Sequence, residues 1–281
     1  MTEAAEPQSE TVSQAPEAEP TPPVDAAEES GGGAGNGAVE EIVEIVKTIV
    51  YALLIALVLR VFLFQPFTIP SASMEPNLLK GDYIIVSKYS YGYSKHSIPF
   101  SPPLFKGRLF ERAPKRGDII VFKLPADNHT DYIKRLIGVP GDRVQVRAGV
   151  VYVNGRAITR VQDGPGDPGV CWNGSTVQRF AETNMIGKSY VTYDCGPRGD
   201  VDDTPTYIVP EGHYFFMGDN RDNSLDSRVA PQAGGVGFVP AENLVGKAQI
   251  ILLSWNDKAS LFKPWTWFLD ARPSRFFHVL K

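Results

Sequence analysis

Two serines held between two prolines, in Ile69-Pro70-Ser71-Ala72-Ser73-Met74-Glu75-Pro76-Asn77-Leu78, are the first residues whose spacing suggests chemistry. The prolines fix the backbone on either side, and Ile69, preceding Pro70, is pushed toward an extended conformation. A serine on so rigid a turn can present its hydroxyl and its backbone N–H together. An ordinary Ser/Pro loop has the same composition. The second candidate is Lys134, in Asp131-Tyr132-Ile133-Lys134-Arg135-Leu136. Strand alternation puts Tyr132, Lys134 and Leu136 on one face. Burial there would disfavour the ammonium and leave a neutral amine able to act as a general base, whereas a lysine at a sheet edge simply extends its charge into water. The third is Gly218-Asp219-Asn220-Arg221-Asp222-Asn223-Ser224-Leu225-Asp226-Ser227-Arg228, which alone reads as a solvated loop with internal ion pairs.

Other catalytic patterns are missing. There is no H-E-x-x-H, C-x-x-C or G-x-S-x-G, and Gly187-Lys188-Ser189 has Glu182 where a phosphate-binding loop needs its first glycine. His96, His129, His213 and His278 are scattered, so a Ser-His-Asp triad or a metal site can be assembled from them only arbitrarily.

The elements that must position these groups begin with an apolar run from Thr48 to Phe64, about one bilayer's worth of helix. Arg60 is its only charge and sits near one end, where its stem can reach the headgroups. A buried core helix or a cleaved signal peptide would also be apolar. A signal peptide, however, should start with a short basic region, and residues 1–40 carry nine acidic groups and no Lys or Arg. We therefore expect a retained transmembrane anchor over 41–64, behind a disordered acidic tail over 1–40 that lacks the apolar surface to offset its ordering entropy.

Residues 41–281 hold 28 basic against 23 acidic groups, a mild excess suited to anionic lipid. The basic residues are not clustered, which argues against nucleic acid as a partner. From 65 to 255 short β-rich runs alternate with Gly-Asp and Pro signals: 83–86, 118–122, 132–139, 144–146, 150–153, 213–217 and 248–253. Asn154-Gly155 marks a two-residue hairpin turn. The expected fold is mainly β, an antiparallel β-sheet domain with a smaller β-rich insertion at about 160–205. Cys171 and Cys195, the only cysteines, fall in that insertion, as a disulfide or as two reduced surface thiols. A last segment, 256–281, mixes Trp265-Thr266-Trp267-Phe268 with Arg272, Arg275 and Lys281, and suits a membrane interface or packing against the domain.

In this order, behind such an anchor, the segments resemble the bacterial type I signal peptidases, membrane-bound Ser/Lys proteases. The resemblance covers about 45–255. It rests on Pro70-Ser71-Ala72-Ser73-Met74, Gly81-Asp82, Arg116-Gly117-Asp118-Ile119-Ile120-Val121-Phe122, Tyr132-Ile133-Lys134-Arg135 with Gly138 and Pro140-Gly141-Asp142, and the loop from Gly218 through Ser224 with Asp226-Ser227-Arg228. It implies Ser73 as nucleophile, Lys134 as general base, and the Ser73 N–H with the Ser71 hydroxyl as oxyanion hole. Ser224 would orient the lysine, and Asp226 and Arg228 would support its loop as an ion pair. Ala72 stands where the family commonly has Gly.

The implied substrates are secretory preproteins cut after small residues at −3 and −1, through an acyl-enzyme and without cofactor or metal. Phe67, Ile69, Met74, Leu78, Tyr132 and Ile133 are the implied substrate-lining residues. The implied setting is a monomer in the inner membrane, single-pass, with the β domain on the extracytoplasmic or periplasmic face and the tail in the cytoplasm. Two rivals keep some of these residues: a specialised Ser/Lys peptidase acting on a conjugation or pilus protein or on itself, and a non-enzymatic anchored β domain that binds partners with Lys134 charged and exposed.

Overall fold

The computed structural model describes residues 34–166, 171, 176–196, 199–256 and 266–280. Most of the tail expected over 1–40, together with Trp265 and Lys281, lies outside them. Helix α1 (Ala34–Phe62) contains a stretch, Val39–Phe62, long and apolar enough to cross a membrane, about 36 Å at the helical rise, with none of it buried against protein. Both ends differ from expectation. The helix starts at Ala34, inside the segment read as tail, because once the apolar run forms a helix each further turn costs little and extends back through Gly35 and Gly37. It stops at Phe62, because Phe64–Thr68 is strand β1. Pro66 fits there because β1 is an edge strand.

Residues Tyr51–Lys281 form the compact unit that carries every feature below. In chain order its strands are β1, β2 (Asp82–Ser87), β3 (Ile119–Lys123), β4 (Asp131–Gly138), β5 (Arg143–Arg147), β6 (Val150–Val153), β7 (Arg156–Ala157), β8 (Thr159–Pro165), β9 (Gln178–Thr183), β10 (Ser189–Asp194), β11 (Tyr207–Ile208), β12 (His213–Met217), β13 (Val239–Pro240), β14 (Leu244–Ser254) and β15 (His278–Val279). The main sheet runs β1-β2-β14-β3-β4-β12-β13 with β15 on β14, antiparallel throughout. The expected antiparallel β fold is the observed one. Asn154 and Gly155, at φ 53° and 78°, close the β6–β7 hairpin with the left-handed pair such a turn demands.

Strands β3 and β4 are nearly continuous apolar runs because both faces are covered. Ile119, Val121 and Ile133 enter one core with Ile69, Met74, Leu78 and Ile84, while Ile120, Phe122 and Leu136 enter another with Phe216 and Val239. The insertion is a separate sheet in the order β10-β9-β8, and Cys171 and Cys195 beside it are joined by a disulfide. The C-terminal segment, for which a membrane interface and packing against the domain were both open, adds β15 to the main sheet. The cause is electrostatic: the fully buried Asp82 needs a counter-ion, and Arg275 supplies it at 2.6 Å.

Candidate functional site

Four hydrogen bonds and a buried apolar base hold the Ser73 turn. Ile69 N–H donates to the Asp82 carbonyl and Gly81 N–H returns to Ile69, both at 2.9 Å, closing the turn's neck. Below it, Ile69, Met74 and Leu78 are buried to 3%, 1% and 0% exposure in the first core. From above, Asn220 N–H donates to the Ser73 carbonyl at 3.1 Å and its Nδ2 to the Ala72 carbonyl at 3.2 Å. Apolar plugs and a polar clamp thus leave Ser71 and Ser73 facing a cleft. The Ser73 N–H donates to no other group among the described residues, so it is available to a negative oxygen.

Lys134 arrives from β4. Its Nζ lies 2.6 Å from Ser73 Oγ and 3.1 Å from the Ile133 carbonyl, with the Tyr132 ring 5.4 Å away. The side chain is 4% exposed. Burial lowers its pKa from 10.5 to about 8; Asp226 and Asp219 pull the other way and Arg228 adds to the depression. A short contact between a serine hydroxyl and an amine that is partly neutral near physiological pH is the geometry of a nucleophile with its base. Ser71 Oγ is 3.4 Å from Ser73 Oγ, on the same rim.

The rest of the clamp centres on the next residue, Arg135. Its guanidinium meets Asp219 with two bonds of 2.6 and 2.7 Å, donates to the Gly117 carbonyl at 2.7 Å and stacks 4.0 Å from the Tyr190 ring. Asn77, on the Ser73 turn, donates to Asp219 Oδ2 at 2.7 Å, the oxygen that also accepts from Arg135 Nη2. One buried carboxylate therefore joins β4, the 218–228 loop and the serine turn. Arg221 makes a second buried pair with Glu182 of the insertion, at 2.6 and 2.7 Å.

Asp226 and Arg228 form the expected ion pair, 2.8 and 2.9 Å, and Asp226 also accepts the Gly218 N–H at 2.9 Å. The expected bond from Ser224 to the lysine is not formed. Ser224 Oγ is buried without a partner among the described residues, because Lys134 is directed instead at Ser73 Oγ and the carbonyl of its own strand. Gly218 is needed for close approach: a Cβ there would fall 2.3 Å from Ser224 Oγ and 2.5 Å from the Ser73 carbonyl. Gly218→Ala is expected to leave the chain folded and lower kcat about 100-fold, the cost of displacing the nucleophile turn by about 1 Å, measured as steady-state cleavage beside a circular-dichroism melt.

The cleft holds about 620 Å³ and is walled by Pro70–Ser73, by Thr130–Lys134, by Gly199, Asp200 and Val201, and by Asp222, Asn223, Ser224, Leu225 and Val229. Of the six expected lining residues, Tyr132 and Ile133 are there. Ile69, Met74 and Leu78 are not, since an apolar side chain beside the serine gains more from the core beneath it than from the open cleft. Phe67 packs half-buried against that same core. Val201, Leu225 and Val229, from distant stretches of chain, take their place. For metal binding, the one group of carboxylates close enough together among the described residues is Asp194, Asp202 and Asp222, within 4.8 Å. Each already accepts a backbone N–H, from Gly196, Gly199 and Cys195 respectively, and Asp194 also binds Arg160.

Comparison with known proteins agrees with this architecture. The family described as "Signal peptidase, peptidase S26" matches residues 42–255. The signal peptidases I of Rickettsia typhi and Rickettsia prowazekii are each 42% identical over 244 residues, covering 79% of this chain and 88% of theirs. A solved signal peptidase I from Enterococcus faecalis V583 is 28% identical, covers 48% of this chain and 97% of its own, and has a TM-score of 0.29.

Proposed function

This chain belongs to the signal peptidase family, peptidase S26, whose members are serine endopeptidases that remove signal peptides, and from that premise we propose that it cuts secretory preproteins by a Ser73/Lys134 dyad. The observation that carries the reading is the 2.6 Å contact between Ser73 Oγ and a buried Lys134 whose pKa is lowered to about 8. Neutral Lys134 accepts the hydroxyl proton as Oγ attacks the scissile carbonyl. The oxyanion is met by the Ser73 N–H and the Ser71 hydroxyl, each contributing on the order of 3 kcal/mol. The lysine then gives its proton to the departing amine, and the same base activates the water that releases the acyl group. No step needs a metal or cofactor. Asp219, Arg135 and Asn220 position the turn, and Asp226 with Arg228 position its neighbour loop.

Substrate enters as an added strand. Residues Asp131–Lys134 of β4 pair with β3 on one side only, because β12 reaches no further than Arg135. An extended peptide laid on that open edge brings its carbonyl to Ser73 and its side chains against Tyr132, Ile133 and Leu225. Shallow contacts of this kind favour small residues at −3 and −1. The helix Val39–Phe62 anchors the chain in the inner membrane, with the β domain on the extracytoplasmic side where signal peptides emerge.

The test is kcat/KM against pH on a preprotein with Ala at −3 and −1. Deprotonation of Lys134 is required, so the rate should rise tenfold per pH unit below about 8 and level off above it, unchanged by chelator. Phe at −1 should abolish cutting. A profile flat from pH 5 to 9 would remove the lysine as base.

A further inference from the structure

A second cavity, of about 210 Å³, opens where α1 leaves its apolar stretch. Arg60, in the last turn of the helix, lines it with His96, Ser101, Lys123, His129 and one carboxylate, Asp131, beside Gln65. The helix end is fixed to the domain beside it: the Tyr93 hydroxyl donates to the Phe62 carbonyl at 2.8 Å, and the two rings meet edge-on at 5.8 Å.

Two features of the cavity are unsatisfied within the protein. Arg60 has no carboxylate or carbonyl partner among the described residues, while Lys123 is paired with Asp131 at 3.0 Å, leaving a net positive lining. His96 is 4% exposed; its Nδ1 is 2.9 Å from Ser101 Oγ, yet its Nε2 is buried without a partner among the described residues. A buried nitrogen left unpaired costs about 1–3 kcal/mol, which natural structures seldom tolerate. Burial, with Lys95 nearby, lowers the His96 pKa to about 4, so the ring is neutral; when the Ser101 hydroxyl donates to Nδ1, Nε2 carries the proton and is a donor. Neighbouring Lys88 feels the same field: burial first, then the charge of Arg60, lowers its pKa to about 8.

The cavity's lip has the opposite character. Ile98, Pro99 and Phe100 line it, and Phe100 is wholly exposed on a loop where Phe100 and Ser101 both hold positive φ, at 64° and 50°. Strained non-glycine backbone of this sort persists where a ligand clamp repays it. A cationic, donor-rich chamber behind an apolar lip, at the end of a membrane-spanning helix, suits an anionic amphiphile.

We propose that this cavity binds a phosphate group carrying no compensating cation, with the headgroup of an acidic phospholipid of the outer leaflet as its source. Arg60 and the His96 Nε2–H contact the phosphate oxygens, Gln65 and Ser101 the glycerol, and Phe100 the start of the acyl chains.

The test uses the full chain in neutral detergent, titrated with phosphatidylglycerol, phosphatidylcholine or glycerol 3-phosphate and read by native mass spectrometry. One phosphatidylglycerol per chain should be retained at least tenfold more tightly than phosphatidylcholine. Arg60→Gln, at an exposed position, should weaken retention about fivefold, the worth of one cation near an anionic headgroup. His96→Phe, which keeps the volume but removes the buried nitrogen, should weaken it in the same direction. Glycerol 3-phosphate displacing the lipid at equal concentration would support the phosphate site and make its source a soluble phosphate. Equal retention of the two lipids, or retention unchanged in Arg60→Gln, overturns the proposal.

Discussion

Ser73→Ala is expected to lower kcat for preprotein cleavage by about 10⁴- to 10⁶-fold, and Lys134→Met to lower it as much, with the double variant no worse than either. Two groups 2.6 Å apart that act on a single proton should fail as a unit. Stability separates them. The folded Lys134 pKa is about 8 against 10.5 for a solvated lysine, so the unfolded chain holds the proton more tightly. The resulting cost to the fold is full below pH 8, declines between pH 8 and 10.5 and is absent above. Methionine fills similar volume without that cost, so Lys134→Met should be more stable than wild type at pH 7, by up to about 3 kcal/mol, and equal to it near pH 11. A Lys134→Met protein that melts lower than wild type at pH 7 would mean the ammonium is well accommodated and the base assignment unsupported.

The second large effect concerns a residue that touches no substrate. Asp219→Ala removes the carboxylate that faces the Arg135 guanidinium, which is 1% exposed, and cuts the tie between Asn77 on the serine turn and the 218–228 loop. Breaking one side of a buried pair costs about 3–5 kcal/mol. In a unit of this size that is roughly a 10 °C lower Tm. Activity at a permissive temperature should also fall, because the same carboxylate joins β4 to the turn that carries Ser73. Glu242→Ala, whose only ion pair among the described residues is a half-exposed contact of 3.6 Å with Lys95, should change neither and serves as control.

Ser73 and Lys134 came from the resemblance, since prolines around one and alternation around the other fit an ordinary loop and a lysine reaching into water as well as they fit a dyad. The hairpin at Asn154-Gly155 was legible from the residues themselves, since its turn chemistry resides in two adjacent residues. What stayed hidden depends on distance in the chain. Arg135 follows Lys134 directly, yet its role is set by Asp219, 84 positions away. Gly199, Asp200 and Val201 reach the cleft only because the disulfide and the Tyr193–Asn220 bridge bring the end of the insertion against the 218–228 loop. That Ile69, Met74 and Leu78 lie in the core and do not line the cleft has a different origin. Apolar residues beside a nucleophile fit a substrate pocket and a core equally well by composition, and only packing decides between them. The start of α1 at Ala34 was masked by glycines whose weak propensity is overridden by the helix that follows them.

With substrate bound as the added strand proposed above, the open edge of β4 between Asp131 and Lys134 would also determine which polypeptides can be processed. Its backbone groups would recognise amides, which every protein possesses, so selection would rest largely on whether those amides are unoccupied. A stretch already committed to a helix or to a strand of its own has nothing to offer such an edge. Cutting would thereby be limited to the brief interval in which the segment after the substrate's hydrophobic helix is still extended. A cargo that folds tightly up to its first residue would shield its own junction, and a few flexible residues placed there would restore access.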